Sequence, residues 1–342
     1  MIGFQKIIGA FLSIIVPVIN NFKKIPVWSY VVYALASALF CFLYYNKIVL
    51  PEDFSASNSI QSVGSFETAK PYQFRVLVPL FFKFILFPFY PPNKIIYIAF
   101  CFLSTILTQI FFYFLVNKFF QNTKANLILG SAIIYPMLWN FVILNQSFQY
   151  YDVFAVMFFT AGLYFVASEN FFGLVIAFIL GILNKEAAVY LIFCFVLFNY
   201  KNVFSKGIIL KAFLLACIFL SVKISMMFLF ENNPGDSFES GLPVNKEIFS
   251  NVLSNRVYQK NLFFNLGLLY FPALLLFITG KWKIYSDRKL IFMNLAVAPY
   301  IVLGIFMIYF TEVRVYTEVM VMITLLALCY LGGFKKFNLQ PK

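Results

Sequence analysis

Residues 170–200 read NFFGLVIAFILGILNKEAAVYLIFCFVLFNY, which is two apolar runs joined by Asn184, Lys185 and Glu186. The runs 170–184 and 187–200 are each shorter than the roughly 20 residues that a helix needs to cross a bilayer. Charges at membrane depth are costly and usually serve a function. We therefore predict a broken helix whose charged joint forms the floor of a cavity. Mutual pairing of Lys185 and Glu186 is the alternative reason for placing them there.

The composition of the whole chain is that of a membrane protein. Its 342 residues are 62% hydrophobic and 11% charged, whereas soluble domains carry about 25% charged residues. The apolar runs are continuous rather than alternating, which favours transmembrane helices over a β-barrel. We predict an all-α fold, a polytopic bundle of about ten to eleven spans that forms a single transmembrane domain over residues 1–342.

The apolar runs predict where the spans lie. The predicted spans are 27–47, 95–117, 125–144, 151–168, 170–184, 187–200, 208–230, 262–280, 289–310 and 316–334. The stretch 76–92 is shorter and rich in proline, so we expect it to be re-entrant or to lie at the membrane interface. The first 24 residues are expected to form an interfacial or first membrane helix. Two large outer loops are predicted, at 48–75 and 231–261.

The net charge of +13 comes from lysines and arginines that flank the apolar runs. Placing Lys23 and Lys24 inside puts the basic connectors 118–124, 201–211 and 281–289 inside as well, as the positive-inside rule requires. Eleven of the thirteen carboxylates then fall outside. This distribution predicts a multi-pass membrane protein with both termini in the cytoplasm. The abundance of Phe, Ile, Asn and Lys hints at a bacterial source, so the bacterial inner membrane is the expected location. No basic patch interleaved with aromatic residues indicates a nucleic-acid partner.

The residue types limit the chemistry. The chain has no histidine, which argues against imidazole bases, haem ligation and most zinc sites. Its five cysteines lie inside apolar runs without metal-site spacing and are expected to be small core residues. Catalysis would therefore use carboxylates, Lys, Arg, Tyr or Ser.

The first outer loop contains the earliest candidates. Glu52 and Asp53 would serve as a general base or as ligands of a divalent metal, although a solvated loop also needs charges. Arg75 opens an apolar run in PYQFRVLVP, residues 71–79. Its planar fork suits a phosphate, and snorkelling to the membrane surface is the alternative.

Four further candidates lie at or within span ends. Asp152 starts a span and would bind substrate or cap the helix. Glu312 and Arg314 would form a surface ion pair, or Arg314 would be a second phosphate clamp. Lys223 lies inside a predicted span, so we expect it to pair with an outer acid or to reach a lipid phosphate.

Taken in order, these stretches resemble bacterial membrane proteins related to the GT-C glycosyltransferases. The pattern is an acid in the first outer loop (Asp53), the segment QFRVLVP (residues 73–79), an Asp at a span start (Asp152), the joint NKE (residues 184–186) and a late E-x-R (residues 312–314). The order covers most of the chain, but each motif is short.

The resemblance implies a transferase that takes a sugar from a polyprenyl-phosphate-linked donor outside the cytoplasm. It assigns the essential acid of the first loop to Asp53, with Glu52 beside it. Metal use stays open, because Glu52 and Asp53 are the only candidate ligands. Donor and membrane lipid would be bound by the remaining candidates, which are Arg75, Asp152, Lys185, Glu186, Lys223, Glu312 and Arg314.

Two other functions are compatible with the same pattern. A polysaccharide polymerase or ligase acting on lipid-pyrophosphate glycans would share the basic outer cavity. A lipid or solute transporter or flippase would show internal repeats, and none is found in the sequence. If the chain is a transferase, we expect one outward-facing cavity to be lined by Asp53, Arg75, Asp152, Glu186 and Arg314.

Overall fold

A computed structural model of the chain describes most of its residues. The described residues are 20–23, 25–54, 59–90, 92–120, 123–143, 148–236, 242–251, 254–256, 259, 279, 289–300, 302 and 317–331. These residues form helices and turns and contain no β-strand, so the all-helical prediction is confirmed for the described part of the chain.

The described residues form thirteen α-helices, numbered in chain order. They are α1 Val27–Tyr44, α2 Ile60–Gly64, α3 Leu77–Leu80, α4 Lys94–Phe119, α5 Thr123–Leu129, α6 Ile134–Leu138, α7 Asp152–Ala167, α8 Phe171–Asn184, α9 Tyr190–Phe198, α10 Lys206–Leu229, α11 Leu242–Asn251, α12 Lys289–Asn294 and α13 Thr317–Leu331. Short 3-10 segments include Tyr72–Phe74 and Glu186–Val189, and π-helical turns are formed by Tyr45–Val49, Phe81–Ile85 and Trp139–Ile143.

Helix α7 is the centre of the bundle. Almost all of its side chains are buried, and it packs against α4, α8, α9 and α13. A helix that is apolar on every side is expected in such a position, because it has no face to present to water. Helices α1 and α4 are joined by a buried amide, since Gln109 Nε2 donates to Ser37 Oγ at 2.8 Å and to the Tyr33 carbonyl at 3.0 Å.

Within the described residues, four helical stretches are long and apolar enough to cross a membrane. They are Val27–Val49, Lys94–Phe119, Asn126–Ile143 and Lys206–Leu229. In the last stretch, α10, only 11% of the most apolar window is buried within the protein. A surface this apolar needs lipid around it, so the chain is a helical membrane protein.

The shorter helices match other predicted spans in position. Asp152–Ala167, Phe171–Asn184, Glu186–Phe198 and Glu318–Leu328 are apolar but have fewer residues than a full crossing needs. The total of ten spans stays a prediction, because residues 1–19, almost all of 262–280 and the second half of 289–310 lie outside the described residues. The segment 76–92 is broken into α3 and short turns, and it forms no long helix.

Contacts between connecting segments define two ends of the bundle. At one end, here called the site end, the start of α7, the joint after α8 and the start of α13 meet. At the opposite end, Lys289 pairs with Glu169 at 3.0 Å. The two loops that were predicted to lie outside also join at the site end, since Asn233 Nδ2 donates to the carbonyls of Phe66 and Thr68 at 2.9 and 2.8 Å.

The close return of the chain after α8 depends on Gly181. A Cβ at this position would lie 2.8 Å from the Cβ of Ala188, nearer than real side chains approach. We expect Gly181→Ala to push the Glu186–Val189 turn away from α8 and to destabilise the protein by about 1–3 kcal/mol. The melting temperature in detergent should fall accordingly.

The matched control is Gly207→Ala at the start of α10, where a Cβ would meet nothing within 4 Å. That variant should melt at or slightly above the wild-type temperature, because alanine is the better helix former. Equal melting temperatures for the two alanine variants would show that Gly181 is not needed for close packing.

Candidate functional site

Three buried charges meet at the site end of the bundle. The Lys185 ammonium lies 3.2 Å from Asp152 Oδ1 and 2.9 Å from Glu318 Oε1. The side chains of Asp152 and Glu318 are each 2% exposed and that of Lys185 is 11% exposed. Glu318 also accepts a hydrogen bond from the Tyr300 hydroxyl at 2.8 Å. One lysine therefore neutralises one of two carboxylates and leaves this triad with a net charge of −1.

The backbone at Lys185 explains why the helix breaks there. Helix α8 ends at Asn184, and Lys185 takes an extended conformation with φ −162° and ψ 131° before the Glu186–Val189 turn begins. Successive side chains along an extended backbone point in opposite directions. Lys185 and Glu186 consequently face different partners, and the alternative that they neutralise one another is wrong.

Glu186 pairs instead with Lys223 of α10. The Lys223 ammonium lies 2.6 Å from Glu186 Oε1, with side-chain exposures of 10% for Lys223 and 29% for Glu186. Lys223 precedes the end of α10 at Leu229 by six residues, a distance of about 9 Å along a helix. Of the two options predicted for this lysine, pairing with one of the acids is confirmed.

Arg75 lies between aromatic rings next to these charges. Its guanidinium carbon is 4.9 Å from the centre of the Tyr72 ring and 4.3 Å from that of Tyr151. It donates a hydrogen bond to the Tyr151 hydroxyl, and the Tyr150 hydroxyl donates to the Arg75 carbonyl at 2.9 Å. Rings and hydrogen bonds fix the position of the guanidinium.

The charge of Arg75 is maintained in this position. Burial acts to lower its pKa, but the electrostatic effects of Tyr151 and Glu186, among others, raise the pKa above its ordinary value. Arg75 is therefore a permanent cation. Across the described residues, no carboxylate oxygen lies within 4.0 Å of its guanidinium, and its buried Nε has no hydrogen-bond partner there.

Tyr151 connects the two charged groups. Its ring centre is 5.9 Å from the Lys185 ammonium and its hydroxyl accepts from Arg75, while its carbonyl accepts from Asn184 Nδ2 at 2.9 Å. Arg75, Lys223 and Glu186 carry a net charge of +1 in total, and the Lys185 triad carries −1. The site is thus neutral overall but divided into a positive and a negative half.

Asp53 lies at the same end of the bundle, in an exposed position of the first loop, and Glu52 is half-buried. The neighbouring Phe54 ring contacts Tyr97, with centres 5.6 Å apart, and the Tyr97 hydroxyl donates to the Tyr150 carbonyl at 3.1 Å. The loop is therefore connected to the Arg75 region through aromatic side chains. Direct contact between Asp53 and the buried cluster stays a prediction.

Arg75, Asp152 and Glu186 belong to one cluster of contacts, whereas Glu312 and Arg314 lie outside the described residues. That Asp53 joins this cluster, and that the cluster lines an outward-facing cavity, stay predictions. Asp152 is not the helix cap that was one alternative, because the residue preceding α7 is Tyr151 and the Asp152 carboxylate holds Lys185. Glu318 was missed as a site residue. Like Asp152, it opens an apolar helix with a carboxylate, and applying that criterion to every span would have found it.

A metal site is not formed by the side chains whose positions are described. Among them, no group of three Asp, Glu or Cys side chains is arranged to hold a metal ion. Cys41, Cys101 and Cys194 are buried as free thiols, as expected for small core residues. The metal role considered for Glu52 and Asp53 stays a prediction.

A comparison of the chain with known protein families, with curated proteins and with solved structures found no significant match. The chemistry of the site therefore has to be inferred from its own geometry.

Lys185 should be essential for stability only while its two carboxylates are present. Lys185→Met leaves Asp152 and Glu318 buried without their shared cation, which should destabilise the protein by about 3–5 kcal/mol. Adding Asp152→Asn and Glu318→Gln removes both charges and should restore most of the melting temperature measured in detergent. A single variant as stable as the triple variant would show that the triad is not a coupled unit.

Proposed function

We propose that the chain is a membrane glycosyltransferase that moves a sugar from a polyprenyl-phosphate-linked donor to an acceptor hydroxyl at the site end of the bundle. The observation that carries this proposal is Arg75, a fixed guanidinium without a carboxylate partner among the described residues, beside the Lys223–Glu186 pair. A half-buried cation in this state is suited to an anionic ligand.

Phosphate fits this half of the site in geometry and in charge. The guanidinium offers a planar set of N–H donors that matches phosphate oxygens, and its Nε is still available. A phosphodiester that links a lipid to a sugar carries one negative charge, and the net charge of +1 that Arg75, Lys223 and Glu186 carry together attracts it.

The lipid part of such a donor would have direct access to the site. Helix α10 carries Lys223 on its buried side, while Leu220, Ile224 and Phe228 are 54%, 49% and 74% exposed. In a bilayer these side chains contact acyl chains. A polyprenyl chain could therefore lie along α10 with its phosphate beside Lys223, and no water-soluble domain is needed to deliver it.

The reaction breaks the bond between the anomeric carbon and the phosphate oxygen. The acceptor hydroxyl oxygen attacks the anomeric carbon from the opposite side, its proton passes to Asp53, and the bonding electron pair stays on the phosphate. The configuration at the anomeric carbon is therefore inverted in the product. The negative charge on the phosphate grows from one to two during this step, so Arg75 and Lys223 bind the transition state more tightly than the donor.

The orientation in the membrane follows from the same proposal. The site end would face away from the cytoplasm of a bacterial inner membrane, because Lys201, Lys206 and Lys289 lie at the opposite end. A polymerase or ligase would differ in using a lipid-pyrophosphate glycan. A flippase would move the lipid without breaking the sugar–phosphate bond, so product analysis separates these activities.

Replacing Arg75 tests the phosphate assignment. Arg75→Lys keeps the charge but loses the planar fork, and Arg75→Gln loses both. We expect donor binding to fall about tenfold for the lysine variant and further for the glutamine variant, because losing a bidentate hydrogen-bond pair at a cost of about 1.4 kcal/mol lowers the affinity tenfold. Binding of a polyprenyl-phosphate hexose is measured by native mass spectrometry.

The control is Arg256→Gln, which removes an exposed arginine from the region after α11. It should bind the donor as the wild type does. If the Arg75 and Arg256 variants lost affinity to the same extent, the effect would be one of overall charge and not of a site at Arg75.

Asp53→Asn tests the assignment of the base. Asparagine has the same size but is not a proton acceptor at neutral pH, so we expect release of polyprenyl phosphate to drop by about 100-fold or more at unchanged melting temperature. Glu67→Gln in the same loop is the control and should retain activity. Near wild-type turnover of Asp53→Asn would make Asp53 a solvated loop charge and turn attention to Glu52.

A further inference from the structure

Glu186 differs from the other two carboxylates of the site. Its side chain is 29% exposed, whereas those of Asp152 and Glu318 are 2% exposed and both lie on Lys185. Glu186 is therefore the carboxylate that can move without breaking the buried triad. It also belongs to the short Glu186–Val189 turn, outside the regular hydrogen bonding of α8 and α9.

Lys223 contacts Glu186 directly, and Arg75 lies close enough to be affected by its charge. The Lys223 ammonium is 2.6 Å from its carboxylate and 4.3 Å from the centre of the Phe74 ring, and Phe74 directly precedes Arg75. The charge of Glu186 also acts on the Arg75 guanidinium. Lys223 and Arg75 would repel one another across this region if no anion lay near them.

We infer that Glu186 is a placeholder anion, whose carboxylate occupies the position beside Lys223 and Arg75 that the donor phosphate takes, and that donor binding displaces it. This inference rests on the proposed function, because it takes a phosphate as the ligand. Carboxylate and phosphate oxygens accept hydrogen bonds from the same ammonium and guanidinium donors.

The exchange keeps the charge of the buried region constant. A phosphodiester brings one negative charge and the displaced carboxylate takes one away, so neither state leaves two uncompensated cations at membrane depth. The same competition lowers the affinity for phosphate, because the ligand binds only when the carboxylate has moved aside. It also favours release of the lipid phosphate after transfer, when Glu186 can return to Lys223.

A placeholder and a direct ligand predict opposite results for Glu186→Gln. Without the competing charge, we expect the variant to bind farnesyl phosphate about tenfold more tightly than the wild type. A residue that binds the donor directly would lose affinity on the same change. The measurement is titration calorimetry on the full chain in detergent, with farnesyl phosphate and inorganic phosphate as separate probes.

The control variant is Glu169→Gln, which removes the carboxylate of the Lys289–Glu169 pair at the opposite end. Its affinity for farnesyl phosphate should equal that of the wild type. Unchanged or weaker binding by Glu186→Gln overturns the placeholder. If the wild type, Glu186→Gln and Glu169→Gln all fail to bind farnesyl phosphate, the proposed function is overturned as well. If Glu186→Gln binds more tightly but the wild type transfers no sugar, only the assignment as a transferase is overturned. Equal tightening for inorganic phosphate would assign the site to free phosphate rather than to a lipid.

Carbodiimide labelling tests the inference on the wild-type chain, without relying on a variant that folds. The reagent modifies accessible carboxylates, and peptide mass spectrometry quantifies the modification of Glu186. Farnesyl phosphate should increase this modification severalfold if it displaces Glu186 from Lys223. A decrease would mean that the ligand covers Glu186, and the placeholder would then be excluded.

Discussion

The contact of Lys185 with Asp152 and Glu318 is the interaction on which the rest of the site depends. Three buried charges cannot be separated inside a membrane protein without a large loss of stability. The triad therefore holds the start of α7, the joint after α8 and the start of α13 in one place. Because the backbone is extended at Lys185, the same joint turns Glu186 in another direction, towards α10.

The division of charge follows from this arrangement. The two carboxylates on Lys185 form the negative half, while Arg75 and Lys223 with Glu186 form the positive half, and Tyr151 lies between them. The two cations lie against aromatic rings, and Lys223 also contacts the partly exposed carboxylate of Glu186, which holds them close to the lipid-exposed helix α10. An anionic lipid headgroup is the ligand for which such a site is suited.

Much of the fold could be predicted from apolar run lengths alone. The runs at 27–47, 95–117 and 208–230 correspond to helices, and the break at residues 184–186 was visible as two short runs around a charged joint. The pairing could not be predicted, because adjacent Lys185 and Glu186 are the nearest partners in sequence. Only the extended backbone at Lys185 reveals that each turns to a distant helix.

The roles of single residues were harder to predict where function and structure require the same residue type. An aspartate at a helix start serves equally well as a cap or as a counter-ion, and the position of Tyr151 before α7 decided between these for Asp152. The partner of Glu318 could not be predicted either, because Lys185 lies far away in sequence. The sequence of a membrane protein indicates how deep in the membrane a charged residue lies, but its ion-pair partner depends on how the helices pack.

A structure of the protein with a polyprenyl phosphate bound would test the central claim most directly. The account predicts density for the phosphate within about 3 Å of the Arg75 guanidinium and the Lys223 ammonium. In that structure Glu186 would have moved away from Lys223, and the contacts of Lys185 with Asp152 and Glu318 would be unchanged. Phosphate density elsewhere, with the Lys223–Glu186 pair intact, would contradict the account.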